Sequence, residues 1–357
     1  MTRPSQELLR SISDEHVLRS LMSERKLTRA ELATTTGLSK PTVSESVRRL
    51  VESGLVADTG ERTPGGRGKG RVGSFYSLAS DVGVALVVTI APGGVTAECV
   101  DAYGDVVGRT HHPIDSPAEV PAVLPSIAAE TVAAHNVRLC TVSAADPVDR
   151  STGRLVQLPD SPFLVGELDP VEVLSPLLHG PVIVDNDVNW AAQAEHAAIG
   201  VADFAYLYLG EGLGCALVSD GEVRRGHAGL AGEIAHVITV GPSGSAMPFI
   251  EVFGQLGLRR SGSTAIDVAR LRAADPEVLA RAIGGVVTAL VTLADPEVVV
   301  VGGTWGPSLL DAITAECSRL PRQVGVVGAS VAEPSLTGAR AEALKRLRTA
   351  LVEASRA

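Results

Sequence analysis

The stretch that most constrains this chain is FAYLYLGEGLGCALVSDGEVRRG, residues 204–226. Two apolar runs, each too short for a stable helix, flank Gly210, Gly212 and Gly214. The pattern is a β-hairpin around a loop bare enough for a phosphate to approach its backbone N–H groups. Glu211, between the first two glycines, sets a carboxylate where an anion would sit. The form recurs at VGVALVVTIAPGGVTAECVDAYGDVVG, residues 82–108, as two strands around a glycine turn and a second turn at Tyr103-Gly104. A helical stretch follows near residues 120–135, then the strand RLCTVSAADPVD. PVIVDNDVNWAAQAEHAAIG reads as a strand running into a helix. PEVVVVGGTWGPSLLDAI reads as a buried strand, a Gly-Gly turn and a helix. Such alternation indicates an α/β protein of two lobes, set at residues 79–200 and 201–337.

The residues before 79 differ in character. Residues 1–78 carry a net charge of +4 and the remaining 279 a net of -14, a basic head on an acidic body. From Leu27 the chain reads LTRAELATTTGLSKPTVSESVRRLVESGLVADTG. Thr28 and Glu31 form a capping box that opens a short helix, and Gly37 permits the turn that ends it. Ser39 caps the next helix, with Pro41 tolerated in its first turn. That helix is expected to bury Val43, Val47, Leu50 and Val51, and to show Lys40, Thr42, Ser44, Ser46 and Arg48 outward. Short hydroxyls and cations near a helix N-terminus suit the major groove. LVADTG and SFYSLAS then read as the strands of a wing, whose ERTPGGRGKGRVG tip sets Arg67, Lys69 and Arg71 among glycines. Three cations on so thin a backbone suit a minor groove or a row of phosphates. The expectation is a winged helix-turn-helix that binds double-stranded DNA through Ser39, Lys40, Thr42, Ser44, Arg48, Arg67, Lys69 and Arg71.

The chain is 45% hydrophobic but 3% aromatic, so Ala, Val, Leu and Gly must fill the core. No run of eighteen apolar residues free of breakers indicates a membrane span, and the charged start lacks the apolar stretch of a signal peptide. Cys99, Cys140, Cys215 and Cys317 have neither zinc-knuckle nor CxxC spacing. Buried thiols in a reducing cytoplasm are the expectation.

Taken in order, NDVN at 186–189, the glycine loop, AGEIAH at 231–236, Glu251 and VVVVGG ending at Gly303 resemble the ROK proteins, a family of repressors, uncharacterised frames and sugar kinases. The resemblance spans nearly the whole chain and implies an actin-like, ribonuclease H-like ATPase fold of two lobes. The winged head resembles the family's transcriptional regulators. The resemblance also implies that a C-terminal helix, residues 338–357, packs back on the first lobe; its alternating charges fit an exposed amphipathic helix equally well. It implies that Asn186, Asp187, Glu233, His236 and Glu251 hold a sugar, with Asp187 as the general base of the kinases. Asn186-Asp187 also suits a plain helix cap.

In this family a histidine matching His236 is joined by three cysteines ahead of the glutamate in a zinc site. Those positions hold Phe249, Gly244 and Pro242, none a zinc ligand, so no zinc is expected and Met247, Pro248 and Phe249 supply an apolar plug in its place. Where the kinases carry an aspartate at the end of the first strand stands Thr89, and Ala91-Pro92 replace a loop glycine, with Pro92 removing an N–H donor. With Glu211 in the second loop, both phosphate sites are impaired, so neither ATP nor Mg²⁺ is expected. The glycines are expected to persist because tight turns need them. The reading is a DNA-binding regulator, a repressor, on a catalytically inactive sugar-kinase body that senses a sugar or sugar derivative. A homodimer or homotetramer would match a two-fold operator. Two alternatives stay open: an active sugar kinase with a DNA-binding head, and a regulator whose body only dimerises.

Overall fold

The computed structural model describes residues 6–64, 72–158, 161–163, 165 and 168–356. The head begins with α1 (Gln6–Glu24), followed by β1 (Lys26–Thr28), α2 (Arg29–Thr36), α3 (Lys40–Glu52), β2 (Val56–Arg62) and β3 (Ser74–Leu78). The three strands pair antiparallel with β3 in the middle. The capping box forms at both of its bonds: the Glu31 N–H donates to Thr28 Oγ1 at 3.2 Å, and the Thr28 N–H to Glu31 Oε2 at 2.8 Å. Gly37 ends α2 at φ +70°, a left-handed conformation that glycine adopts without strain.

Helix α1, which the sequence reading did not single out, sets the buried face of α3. Val17, Leu18, Leu21 and Met22 of α1 are buried with Val43, Val47 and Leu50. Asp14 enters the same interface, accepts from Arg49 Nε at 3.0 Å and Nη2 at 2.6 Å, and also bonds the hydroxyl of Ser46. A buried hydroxyl with such a partner is stable, so Ser46 turns inward while Val51 is exposed. The buried face therefore differs from the one that apolar spacing alone selects by one residue, Ser46 in place of Val51.

The first lobe holds β4 (Val84–Ala91), β5 (Gly94–Val100), β6 (Val106–His112), α4 (Val120–Val132), β7 (Val137–Ala144), α5 (Pro170–Leu174), β8 (Val182–Asn186) and α6 (Asp187–Ile199). Its sheet order is β6-β5-β4-β7-β8. The second lobe holds β9 (Phe204–Leu209), β10 (Leu213–Ser219), β11 (Glu222–Val223), β12 (Ile238–Val240), β13 (Ala246–Pro248), α7 (Phe249–Gln255), α8 (Val268–Leu271), α9 (Pro276–Ala294), β14 (Val298–Gly302), α10 (Leu310–Cys317) and β15 (Gly325–Gly328). Its main sheet runs β11-β10-β9-β14-β15. Both sheets therefore share one plan, third-second-first-fourth-fifth in chain order, with two antiparallel and two parallel pairings each. The parallel strands β7 and β14 are buried on both faces, which the unbroken apolar run of β14 requires; β7 also buries Thr141 and Ser143. Helix α9 is long and apolar enough to cross a membrane by length and composition, yet Leu279, Ile283, Val286 and Val287 sit in the second lobe's core.

The chain closes with α11 (Pro334–Ala354), which leaves the second lobe and packs on the first. Leu336, Ala339, Ala343, Leu347 and Leu351 form its buried stripe. Each buried leucine contributes roughly 1.5–3 kcal/mol. Glu98 of β5, fully buried, accepts from Arg340 Nε at 2.6 Å and Nη2 at 2.7 Å, which fixes the helix in register. Gly338 lets α11 approach α6: a Cβ there would lie 2.0 Å from the carbonyl oxygen of Trp190. Gly338→Ala should therefore lower the unfolding free energy by about 1–3 kcal/mol, read as a reduced urea midpoint. An unchanged midpoint would contradict this close helix contact.

Candidate functional site

Strand β8 delivers Asn186 and Asp187 to the cleft between the lobes. Asn186 caps α6: its Oδ1 accepts the Val188 N–H at 2.9 Å, while its Nδ2 donates to the carbonyls of Asp146 (3.2 Å) and Ala144 (3.3 Å). Its amide thus ties the end of β7 to the start of α6. Across the cleft, Glu233 precedes and His236 ends a single 3-10 turn, Ile234–His236, in the second lobe. Asn186, Asp187, Glu233 and His236 line one cavity of about 540 Å³, within the size range of small-molecule sites. Glu251 lies on α7, half exposed and bonded to Arg259 Nη2 at 3.0 Å; its neighbour Ile250 lines the cavity in its stead.

A third carboxyl stands close to these, and sequence reasoning passed over it. Asp146, directly after β7, is buried, and its Oδ2 accepts the Val165 N–H at 3.4 Å. The only signal was an aspartate between a buried strand and Pro147. Burial, then the like charges of Asp187 and Glu233, push Asp146 up to about 7. Burial and Glu233 push Asp187 to about 7. Burial pushes Glu233 to about 7 against the opposing pull of His236. Near neutral pH the two carboxyls that line the cavity, Asp187 and Glu233, are thus held between their protonated and ionised forms, so its wall can both donate to and accept from hydroxyl groups.

The glycine loop is crowded rather than left-handed. Gly210, Gly212 and Gly214 are not among the glycines with positive φ. What excludes a side chain is contact: a Cβ on Gly210 would meet the Tyr208 hydroxyl at 2.6 Å and its ring at 2.7 Å, and one on Gly214 would meet Val188 at 2.8 Å. The expectation that turn geometry requires these glycines is therefore corrected to one of close packing. The carbonyl of Gly210 accepts the Trp305 indole N–H at 2.7 Å, and its own N–H is taken by the Gly212 carbonyl at 3.0 Å. Glu211 forms an ion pair with Arg260, another lining residue. On the facing lobe, Thr89 and Ser143 are register partners on β4 and β7. Both hydroxyls are buried with no hydrogen-bond partner. Pro92 also lines the cavity.

Of the zinc-site positions, Pro242 and Gly244 fall in the turn between β12 and β13, and Phe249 begins α7. Strands β12 and β13 pair antiparallel, Met247 folds over Gly241, and Phe249 is fully buried against Phe253, which in turn packs on Trp305. Among the described residues no group of three or more His, Cys, Asp or Glu side chains is placed to hold a metal ion.

In the head, Ser39 Oγ accepts the Thr42 N–H at 3.3 Å and bonds the Thr42 hydroxyl at 2.8 Å. Ser39, Lys40 and Arg48 are exposed, with Ser44 and Thr42 half-buried beside them. Arg48 is engaged by its own helix: Nε and Nη2 donate to Glu45 at 3.0 and 2.6 Å, and Nη1 to Glu52 at 2.5 Å. Both bonds raise its pKa further, with Glu45 the larger cause. Arg19, Arg25, Lys26, Arg49 and Arg62 are likewise ion-paired. Arg67, Lys69 and Arg71 lie outside the described residues.

A winged three-helix head on two lobes of one repeated sheet plan, with a cleft cavity of carboxyls, defines an actin-like body joined to a helix-turn-helix. Residues 96–248 match the model of the ROK family, and residues 10–57 that of the winged helix-turn-helix DNA-binding domains. The chain therefore carries a ROK family domain behind a winged helix-turn-helix. It is 24% identical over 249 residues to the xylose repressor of Bacillus spizizenii, covering 65% of this chain and 62% of that protein. It is 29% identical over 163 residues to the glucokinase of Streptomyces coelicolor, covering 44% of this chain and 50% of that one. A solved ROK family transcriptional regulator, described as a homolog of the E. coli MLC protein, superposes with a TM-score of 0.61 at 20% identity. That match covers 98% of this chain and 99% of the other, and it shows the shared fold. The chain spans about three fifths of the length of the xylose repressors it matches.

The carboxyl cluster has a consequence for stability. With pKa values raised from 3.8 and 4.5 to about 7, the folded state holds protons that the unfolded chain releases. Stability must therefore fall as pH rises from about 4 to 7 and level off above. Asp146→Asn should therefore stabilise the protein more at pH 8 than at pH 4, by on the order of a few kcal/mol, measured by thermal unfolding at both pH values. An equal effect at both pH values would remove Asp146 from the cluster.

Proposed function

We propose that this chain is a DNA-binding transcriptional repressor whose ROK body no longer transfers phosphoryl groups and binds a sugar or sugar derivative in the interlobe cavity. The reading is carried by one pairing: an exposed, capped α3 on the head, and a Glu211–Arg260 ion pair on the body where a kinase would need donors for ATP phosphates. Thr89 has no carboxylate to organise Mg²⁺, and Pro92 offers no N–H. The xylose repressors among the relatives support the same assignment.

Ser39, Lys40, Thr42, Ser44 and Arg48 would meet the major groove and the wing cations Arg67, Lys69 and Arg71 the backbone or minor groove. With six head cations already paired, the three wing cations would supply a substantial share of the net attraction to phosphates. Asp187, Glu233 and His236 would take sugar hydroxyls, with Asn186 holding the frame. Glu251 would join them only through movement of α7. The protein would act in the cytoplasm as a homodimer or homotetramer, without zinc, ATP or Mg²⁺.

A second reading, an active sugar kinase, draws on Asp187, whose pKa of about 7 suits a general base. A coupled ADP assay with Mg-ATP and a panel of hexoses and pentoses separates the two. No turnover is expected; sustained turnover with any sugar would replace the first reading by the second. For the head, neutralising Arg67, Lys69 and Arg71 together should reduce the slope of log K against log salt for duplex DNA by up to about 3. An unchanged slope would remove the wing from the interface.

A further inference from the structure

We propose that Glu45 is the residue through which α3 discriminates bases, that the base it reads is a cytosine, and that Arg48 is its positioning partner. This inference rests on the DNA-binding reading above.

Val43, Ser46, Val47 and Leu50 face the head's core, so the opposite face of α3 presents Pro41, Ser44, Glu45, Arg48 and Glu52. Arg48, the obvious base reader on that face, spends Nε, Nη1 and Nη2 on Glu45 and Glu52. To grip guanine it would have to break bonds to two carboxylates and leave both facing a polyanion. Glu45 is differently placed. Arg48 holds both of its oxygens, and Arg49 Nη1 stands 3.5 Å from Oε1. Arg49 is itself anchored to the buried Asp14. The carboxylate is thus fixed between two guanidinium groups, half exposed, at the sixth residue of the helix. The bond from Arg48 holds it below the usual glutamate range, so near neutral pH it only accepts.

A carboxylate offers about four acceptor sites, and these contacts leave some open. Phosphates repel it, so a helix that docks on DNA with Glu45 outward must turn it toward a base-edge donor. The major groove offers two, cytosine N4 and adenine N6. Adenine sets its N7 acceptor beside N6, which repels a carboxylate. Cytosine presents its amino group without an adjacent acceptor on the same base.

The test is selection from a random-sequence duplex library with the full chain, comparing wild type, Glu45→Gln and Arg48→Ala. Anisotropy on the selected duplex and on versions changed at single positions then gives the affinities. All three variants should share one thermal midpoint, because the substituted side chains are exposed. Wild type should select a C·G pair at one position per half-site and lose about tenfold when that pair becomes T·A. Glu45→Gln should select no C·G there and lose less than twofold for the same change. Arg48→Ala should bind more weakly overall yet keep a reduced preference for C·G. A wild-type motif unaltered by Glu45→Gln overturns the inference and leaves DNA binding standing. Loss of a guanine preference in Arg48→Ala alone overturns it in favour of Arg48 as reader. No enriched sequence for wild type overturns the DNA-binding reading and this inference with it.

Discussion

One face of α11 packs against three partners at once. Near its start, Gly338 presses on the backbone of α6 at Trp190; in the middle, Arg340 grips the buried Glu98 of β5. Toward its end, Leu347 and Leu351 share a core with Leu18 and Leu21 of α1. Arg348 donates to the carbonyl of Ala102 at 2.9 Å, and Arg356 pairs with Glu15 at 2.7 Å. The linkage is reinforced where Arg25 meets Asp105 in two bonds of 2.6 and 2.8 Å, and where the Tyr103 hydroxyl bridges Arg25 and Leu78. A helix whose buried stripe lies in one core with α1, α3 and the first sheet makes head and first lobe one mechanical unit. The second lobe joins that unit through two crossings, residues 200–203 and 329–333. The second is held by the buried carboxylate of Glu195, which accepts from the N–H groups of Ser330 (2.9 Å) and Val331 (2.8 Å) and from the Ser330 hydroxyl. A ligand that draws the lobes together would therefore move the second lobe, with the head carried as a fixed attachment of the first.

The same helix that anchors α11 opens the cavity. Asp187 begins α6 and Glu195 sits two turns on, so ligand contact and hinge grip share one rigid rod. Across the cleft, charge is arranged in two zones. Asp146, Asp187 and Glu233 form an acidic zone that repels itself as it ionises, and hydroxyl groups from a ligand would relieve the desolvation that raises its pKa values. Glu211 and Arg260 form a partly exposed ion pair at the glycine loop, so the second zone carries both signs of charge.

What was legible in the sequence was whatever local chemistry decides. Thr28, Glu31, Gly37 and Ser39 announced α2 and α3 because caps and turns act within four residues. The strand pairs around glycine turns announced both sheets, and the ordered anchors from Asn186 to Gly303 announced the family domain. What was hidden depends on partners far along the chain. Asp14 draws Ser46 inward and displaces Val51, and no periodicity in α3 records that. Helix α1 is buried from Ser13 onward while Leu9 and Ile12 stay exposed, and the first buried turn holds Ser13 and Asp14, so its apolar stripe is interrupted. Arg260 neutralises Glu211 from 49 residues away. Asp146 has no motif at all; only the fold brings it to Asp187 and Glu233. The glycine loop was read correctly as bare backbone, but for the wrong reason, because neighbouring side chains rather than dihedral angles exclude a Cβ.

The most direct test of this account is native-state hydrogen exchange of the whole chain. If head and first lobe are one unit, the amides of Val17, Leu18 and Leu21 should exchange through the same opening, with the same free energy and denaturant dependence, as those of Leu347 and Leu351 and of β4. Exchange of α1 through a separate opening of lower free energy would show a head that moves independently of the body. A signal from the cavity would then have to reach DNA by a route other than α11.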